Sequence, residues 1–121
     1  MIIRSASILV LAATVAMTQP VAADSFGAIA YSPSQKTISY SVNRASREEA
    51  EAVARSGCKS SDCRTPLWFK NACGALASAR SGAWGTGWGK TPALASQYAT
   101  ETCEKHGGKN CKVRLNVCTP S

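Results

Sequence analysis

The chain has 121 residues, with 14 Lys and Arg against 7 Asp and Glu, a formal net charge of +7, six Cys and one His. That length supports one domain with a modest core, and nothing after the first apolar run offers the roughly 20 apolar residues a membrane span takes. The basic balance admits nucleic acid, anionic lipid, an anionic envelope polymer or an acidic protein as partner without choosing among them, and it serves solubility equally well.

The first segment reads as a leader. Met1 to Arg4 carries one positive charge, Ser5 to Met17 is free of charge and rich in Ile, Leu, Val and Ala, and Thr18-Gln19-Pro20 breaks the run before Val21-Ala22-Ala23. This is the pattern of a secretory signal with small residues at its cleavage site. It predicts a signal over 1–23 and one exported domain over 24–121, periplasmic or secreted, with no stable membrane insertion. No Cys lies near the cleavage site to take a lipid anchor.

The exported part opens with an apolar strand, Gly27 to Tyr31, then turn chemistry in Ser32-Pro33-Ser34-Gln35. Lys36 to Val42 alternates strictly, with Ile38, Tyr40 and Val42 on one face, so a hairpin is predicted. Ser46 and Glu49 form a capping box, and Glu48, Glu49 and Glu51 sit where a helix dipole favours acids. Ala50, Val53, Ala54 and Gly57 give a narrow stripe, with Gly57 the expected residue just beyond the helix end. Arg64 to Lys70 is a third strand.

The same order then recurs. Gly74 to Ser78 is a strand, Arg80-Ser81-Gly82 a turn, and Ala83 to Gly89 a strand with Trp84, Thr86 and Trp88 on one face and glycines on the other. Thr91 caps a helix with Pro92 in its first position. Its expected stripe is Ala95, Tyr98, Ala99 and Thr102, it ends near His106-Gly107-Gly108, and Lys112 to Val117 alternates as a last strand.

The halves align as an internal repeat. Phe26-Gly27-Ala28-Ile29-Ala30 matches Cys73-Gly74-Ala75-Leu76-Ala77. The caps Ser46 and Thr91 are each followed twelve residues later by a Cys, then by a second Cys, and four residues on by Leu67 or Leu115. Repeat units over about 25–70 and 72–118 imply an α+β fold. Two ββαβ-like repeats would form a mainly antiparallel sheet or a partly closed barrel of about six strands with two helices.

All six Cys lie in the exported part, and an even count in a short exported chain reads as three disulfides. The repeat makes Cys58 and Cys63 equivalent to Cys103 and Cys111, which predicts Cys58–Cys63 and Cys103–Cys111 and leaves Cys73–Cys118. With no CxxC pair and a single His, zinc is not expected.

The run GAIAYSPS, the capped SREEAEAVA helix, Trp68-Phe69, the N-x-CGALA segment, the Trp/Gly strand WGTGWG and the terminal Val117-Cys118 resemble the family called domain of unknown function 4189. The resemblance covers about residues 25–118. It implies a small exported bacterial protein, some relatives coming from host-associated species, and it brings no catalytic motif to transfer. The second helix departs from the family's more acidic, alanine-rich pattern at Pro92 to Gln97.

No catalytic set stands out. His106 lies in a loop between two cysteines, and no nucleophile elbow, HExxH or phosphate loop is present. The alternating glycines do not open a helix as a nucleotide fingerprint would, so neither a cofactor nor enzyme activity is expected. Strand alternation instead suggests a surface. If Leu67, Phe69, Val113, Leu115 and Val117 face the core, Arg64, Trp68 and Lys70 share an outer face, as do Lys112, Arg114 and Asn116. Were the two strands neighbours, a basic patch with one exposed Trp would form; the same charges also protect a sheet edge. Trp84 and Trp88 are a second pair, suited to stacking on sugar or peptide or to a core.

The expected function is a binding module acting on an exported protein or an anionic envelope component, as a secreted factor or an inhibitor. An enzyme with an unrecognised site is the alternative. Nucleic acid is disfavoured by export and by the few aromatics beside the basic residues.

Overall fold

The computed structural model describes residues 8–13 and 23–121. The leader expected over 1–23 therefore falls for the most part outside the described residues. Among these, no helix is long and apolar enough to cross a membrane.

The elements run β1 (Phe26–Ser32), β2 (Thr37–Arg44), α1 (Arg47–Ser56), β3 (Arg64–Lys70), β4 (Ala72–Ser78), β5 (Trp84–Gly89), α2 (Pro92–Lys105) and β6 (Lys112–Thr119). Both helices start where their caps dictate. Ser46 Oγ accepts from the Glu49 amide at 3.1 Å and Thr91 Oγ1 from the Leu94 amide at 3.2 Å, each satisfying an orphan donor of the first turn. Gly57 ends α1 with φ −81°, so it is not the left-handed cap its type suggested; its amide instead bonds back to the Ala54 carbonyl at 3.3 Å.

The six strands form two separate sheets rather than one sheet or a barrel, with orders β2-β1-β3 and β5-β4-β6, all pairs antiparallel. Each repeat is thus a complete three-stranded sheet, and the reason is side-chain size. Along β1, Ala28 and Ala30 pack against Ala50 and Ala54 of α1, while Ile29 and Tyr31 point the other way. In the second unit Cys73, Ala75 and Ala77 meet Ala95, Ala99 and Cys103 of α2. The large residues Ile29, Tyr31, Phe69 and Leu76, with Ile38, Val42, Leu67, Trp84, Leu115 and Val117 around them, fill the space between the sheets. The result is four layers, helix, sheet, sheet, helix: small residues let the helices lie close, and large ones hold the sheets together.

The second helix shows the same economy. Its buried residues are Ala95, Ala99 and Cys103, one face at a spacing of four, whereas Tyr98 is exposed. Gly85, Gly87 and Gly89 of β5 lie directly under α2. A Cβ on Gly87 would stand 2.3 Å from the Ala99 amide nitrogen.

The repeat extends to register. Phe26↔Lys70, Gly27↔Phe69, Ala28↔Trp68 and Ile29↔Leu67 correspond to Cys73↔Cys118, Gly74↔Val117, Ala75↔Asn116 and Leu76↔Leu115. A bulge follows each run, between Ile29 and Tyr31 in one unit and between Leu76 and Ala77 in the other. In β6 the bulge makes Arg114 an extra residue, so Val113 pairs with Ala77 and leaves the inter-sheet core. It is 40% exposed, which corrects the expectation from unbroken alternation.

Three disulfides, Cys58–Cys63, Cys73–Cys118 and Cys103–Cys111, take up all six cysteines. The first and third each tie a helix end to the start of the next strand. The second joins directly opposed residues of β4 and β6.

Candidate functional site

With the two inner sheet faces in contact, β3 lies beside β5 and β2 beside β6. The β3 and β6 edges are therefore on opposite sides of the molecule, and the single patch expected from Arg64, Trp68 and Lys70 with Lys112, Arg114 and Asn116 is two separate surfaces. The face opposite Leu67 and Phe69 is also not open along its whole length, because α1 packs over part of it.

Trp68 shows this directly. It points to the α1 side, stacks against Phe26 at 6.3 Å between ring centroids and carries the Arg47 guanidinium 4.7 Å over its ring, leaving it 40% exposed. Its register equivalent, Asn116, makes the same kind of tie to the other helix, donating to Pro92 O at 2.8 Å and Ser96 Oγ at 2.6 Å. Trp68 and Asn116 both fasten an edge strand to the first turns of a helix.

The two tryptophans of β5 share a face but not an environment. Trp84 packs inward against Tyr31, ring centroids 4.9 Å apart. Trp88, four residues on, reaches the β3 side of the sheet interface and is 53% exposed.

Trp88 there helps to line a cleft of about 470 Å³ with Pro66, Leu67, Trp68, Phe69, Lys70 and Lys90. Five consecutive residues of β3 line it, so it runs along the strand's edge and not across one face. The hydrogen-bond phase follows from one contact. The Asn71 amide donates to the Ser25 carbonyl at 2.9 Å, so residues 25 and 71 are a hydrogen-bonded pair. By antiparallel alternation Gly27 with Phe69 and Ile29 with Leu67 are as well. The N–H and C=O groups of Trp68 and Lys70 are therefore turned away from β1, outward into the cleft. Pro66 interrupts the row with no N–H to offer, as suits an edge strand.

The opposite side of the molecule is closed differently. Thr119 Oγ1 accepts from the Asn43 amide at 2.8 Å and bonds Ser25 Oγ. The Asn43 side chain pairs with Ser121 through Nδ2 at 2.7 Å and Oδ1 at 3.0 Å. These contacts tie the end of β6 to β2.

Around the apolar cleft the charge is positive. Lys70 meets Asp24 at 3.6 Å in an exposed pair, and Lys90 makes no ion pair with the described residues. Arg64 stands exposed at the start of β3. A second apolar surface continues beyond Trp88, along Leu94 and Tyr98 of α2.

Lys112 and Arg114 belong to another cleft, of about 430 Å³, shared with Arg80, Lys109 and Asn110. Arg114 Nε donates to Ser78 Oγ at 3.0 Å. Burial pushes the nearby Tyr31 hydroxyl up, and the Arg114 charge partly opposes this.

His106 Nδ1 lies 2.9 Å from the Trp84 carbonyl oxygen, a backbone partner that holds the loop to β5. Among the described residues no three of His, Cys, Asp and Glu are grouped to hold a metal. Sequence reasoning missed Asp62. Its carboxylate accepts from Ser32 Oγ at 2.5 Å, the Ser34 amide at 2.9 Å and Ser60 Oγ at 2.8 Å. The Ser32 hydroxyl foremost, then the Ser34 amide, hold it well below the usual carboxylate range. It clamps the Cys58–Cys63 loop to the β1–β2 turn. Sequence reasoning missed Lys90 as well, which a strand-by-strand reading leaves in a turn.

No curated protein and no solved structure matches the chain. A family model does match, over residues 26–118, from the first residue of β1 to the last cysteine. The matched span contains both repeats, all three disulfides and both clefts, and the chain belongs to the family described as Domain of unknown function (DUF4189).

Proposed function

We propose that this protein is an exported recognition module that binds an extended, acidic segment of another protein along the β3 edge. The observation that carries the reading is the conjunction at one cleft of outward-facing main-chain groups at Trp68 and Lys70, an exposed Trp88 as apolar wall, and Lys70 and Lys90 at its rim. An added strand pairs with such an edge through its main chain, and its alternate side chains find the pockets. Trp is among the residue types enriched at binding hot spots, and Trp88 stands half-exposed in the cleft. The positive rim selects acidic partners and speeds encounter. Export is supported by the leader pattern over 1–23 and by three disulfides, which persist in oxidising compartments.

The test is selection from a displayed library of random ten-residue peptides. Enriched sequences should be acidic and alternate apolar with polar residues. Their affinity should fall at least tenfold for Trp88→Ala, and again for Lys90→Glu, each about 1.4 kcal/mol or more. Peptides that bind Trp88→Ala as well as the parent protein would overturn the reading.

A further inference from the structure

The second cleft lies away from the β3 edge and has a different chemistry. Arg80 comes from the β4–β5 turn, Lys109 and Asn110 from the loop after α2, and Lys112 and Arg114 from β6. The four cations converge with no carboxylate between them: the ion pairs among the described residues are Arg44–Glu49, Arg47–Glu51 and Lys70–Asp24. Two features of the chain build this cluster. Asn110 sits at φ 55°, a left-handed turn that Asn tolerates and that brings Lys109 to Lys112 round the corner. The β6 bulge inserts Arg114 as an unpaired residue, and its Nε is held by Ser78 Oγ, which leaves the two terminal nitrogens of the guanidinium for a ligand. Bulges re-aim side chains in this way.

We infer that this cleft binds a soluble ligand carrying several phosphate groups. Two guanidinium groups offer planar forks that match tetrahedral oxyanions two bonds at a time, and the two lysines add point charges. A single carboxylate would leave most of that charge uncompensated. No aromatic residue lines the cleft, so no base is stacked, which sets single-stranded nucleic acid aside. The cations are gathered in a concavity and not spread over a flat face, which suits a compact or linear polyphosphate better than a bilayer surface. Bringing four like charges together opposes folding. A bound polyanion relieves that repulsion and stabilises the folded state by mass action.

The experiment is calorimetric titration with tripolyphosphate at low ionic strength, alongside a thermal melt. Binding should raise the melting temperature and weaken as salt is added. The pair Arg80→Ala/Arg114→Ala should weaken binding at least tenfold. The pair Lys36→Ala/Lys59→Ala, which removes the same charge outside the cleft, should change it less than twofold. Arg114→Lys keeps the charge but not the fork, and should still weaken binding several-fold, which covers a failure of the double alanine variant to fold. Trp88→Ala should bind tripolyphosphate normally, so this site stands or falls apart from the β3 edge. Equal losses in the two charge-matched pairs would overturn the inference. So would binding to vesicles of anionic phospholipid through these residues without binding to tripolyphosphate.

Discussion

Trp84 and Trp88 occupy the same strand face four residues apart, yet one closes the inter-sheet core against Tyr31 while the other stands in solvent at the cleft. Truncating them should separate stability from recognition. Trp84→Ala is expected to cost about 3 kcal/mol or more in chemical denaturation, in the range for large aromatics lost from a core. Trp88→Ala should stay within about 1 kcal/mol of the parent. Period-two alternation put both on one face correctly, but it carries no information on where along the strand the facing sheet ends. Asp62 is the other residue with a distinct signature. Its folded pKa lies below its unfolded one, about 3.9, so its contribution is fully present above that value. It is lost as pH falls toward the folded pKa, because the unfolded chain takes up the proton first. Asp62→Asn should therefore flatten the decline of the unfolding midpoint below about pH 4; an unchanged acid limb would show that the Ser32 and Ser34 contacts contribute little.

Among the elements, β5 and α2 show why the strand reads Trp-Gly-Thr-Gly-Trp-Gly. Every second position must lack a side chain because the α2 backbone lies on it: added Cβ atoms at Gly85 and Gly87 would approach the Cys103 and Ala99 amide nitrogens to 2.4 and 2.3 Å. Gly87→Ala must push the helix outward. It should cost about 1–3 kcal/mol, as overpacking does, with a visible loss of near-ultraviolet signal from the tryptophans. Element order, helix caps and most strand bounds were legible because each is written in local chemistry. Ser46 and Thr91 announce helices, and Ser32-Pro33-Ser34-Gln35 announces a turn. The faces of the edge strands were not legible. The Arg114 bulge displaced Val113 from the core, and α1 packed over part of the face that alternation left free for Trp68. Tyr98 belonged to the 3.6-residue stripe but not to the buried face: Ala95, Ala99 and Cys103 pack on Cys73, Ala75 and Ala77 of β4, while the Tyr98 Cβ lies over Gly87 and its ring runs out to solvent.

At the scale of the whole molecule, two similarly built three-stranded sheets meet through one layer of large residues, and the disulfides secure each half. The chain-entropy model gives about 4 kcal/mol for the 45-residue separation of Cys73–Cys118 and about 2–3 for each short loop. Full reduction should unfold the protein or nearly so, and Cys73→Ser with Cys118→Ser should lower the unfolding midpoint more than Cys58→Ser with Cys63→Ser. The equivalence of Cys58 and Cys63 with Cys103 and Cys111 made two of these pairings readable, and the third was what remained, with Phe26 and Lys70 at its counterpart positions. It did not reveal that each repeat closes its own sheet, which depends on Ala facing the helices and Ile, Leu, Phe and Trp facing inward. Nor did it reveal that the β3 and β6 edges therefore part company. The proposed function requires a β3 edge that is open and takes a partner strand, and amide hydrogen exchange resolved by residue reads this out at the edge itself. In the free protein the Trp68 and Lys70 amides should exchange much faster than those of Leu67 and Phe69, and a peptide obtained by selection should slow Trp68 and Lys70 specifically. Slow exchange at Trp68 and Lys70 before any ligand is added, or peptide protection that falls elsewhere, would contradict it.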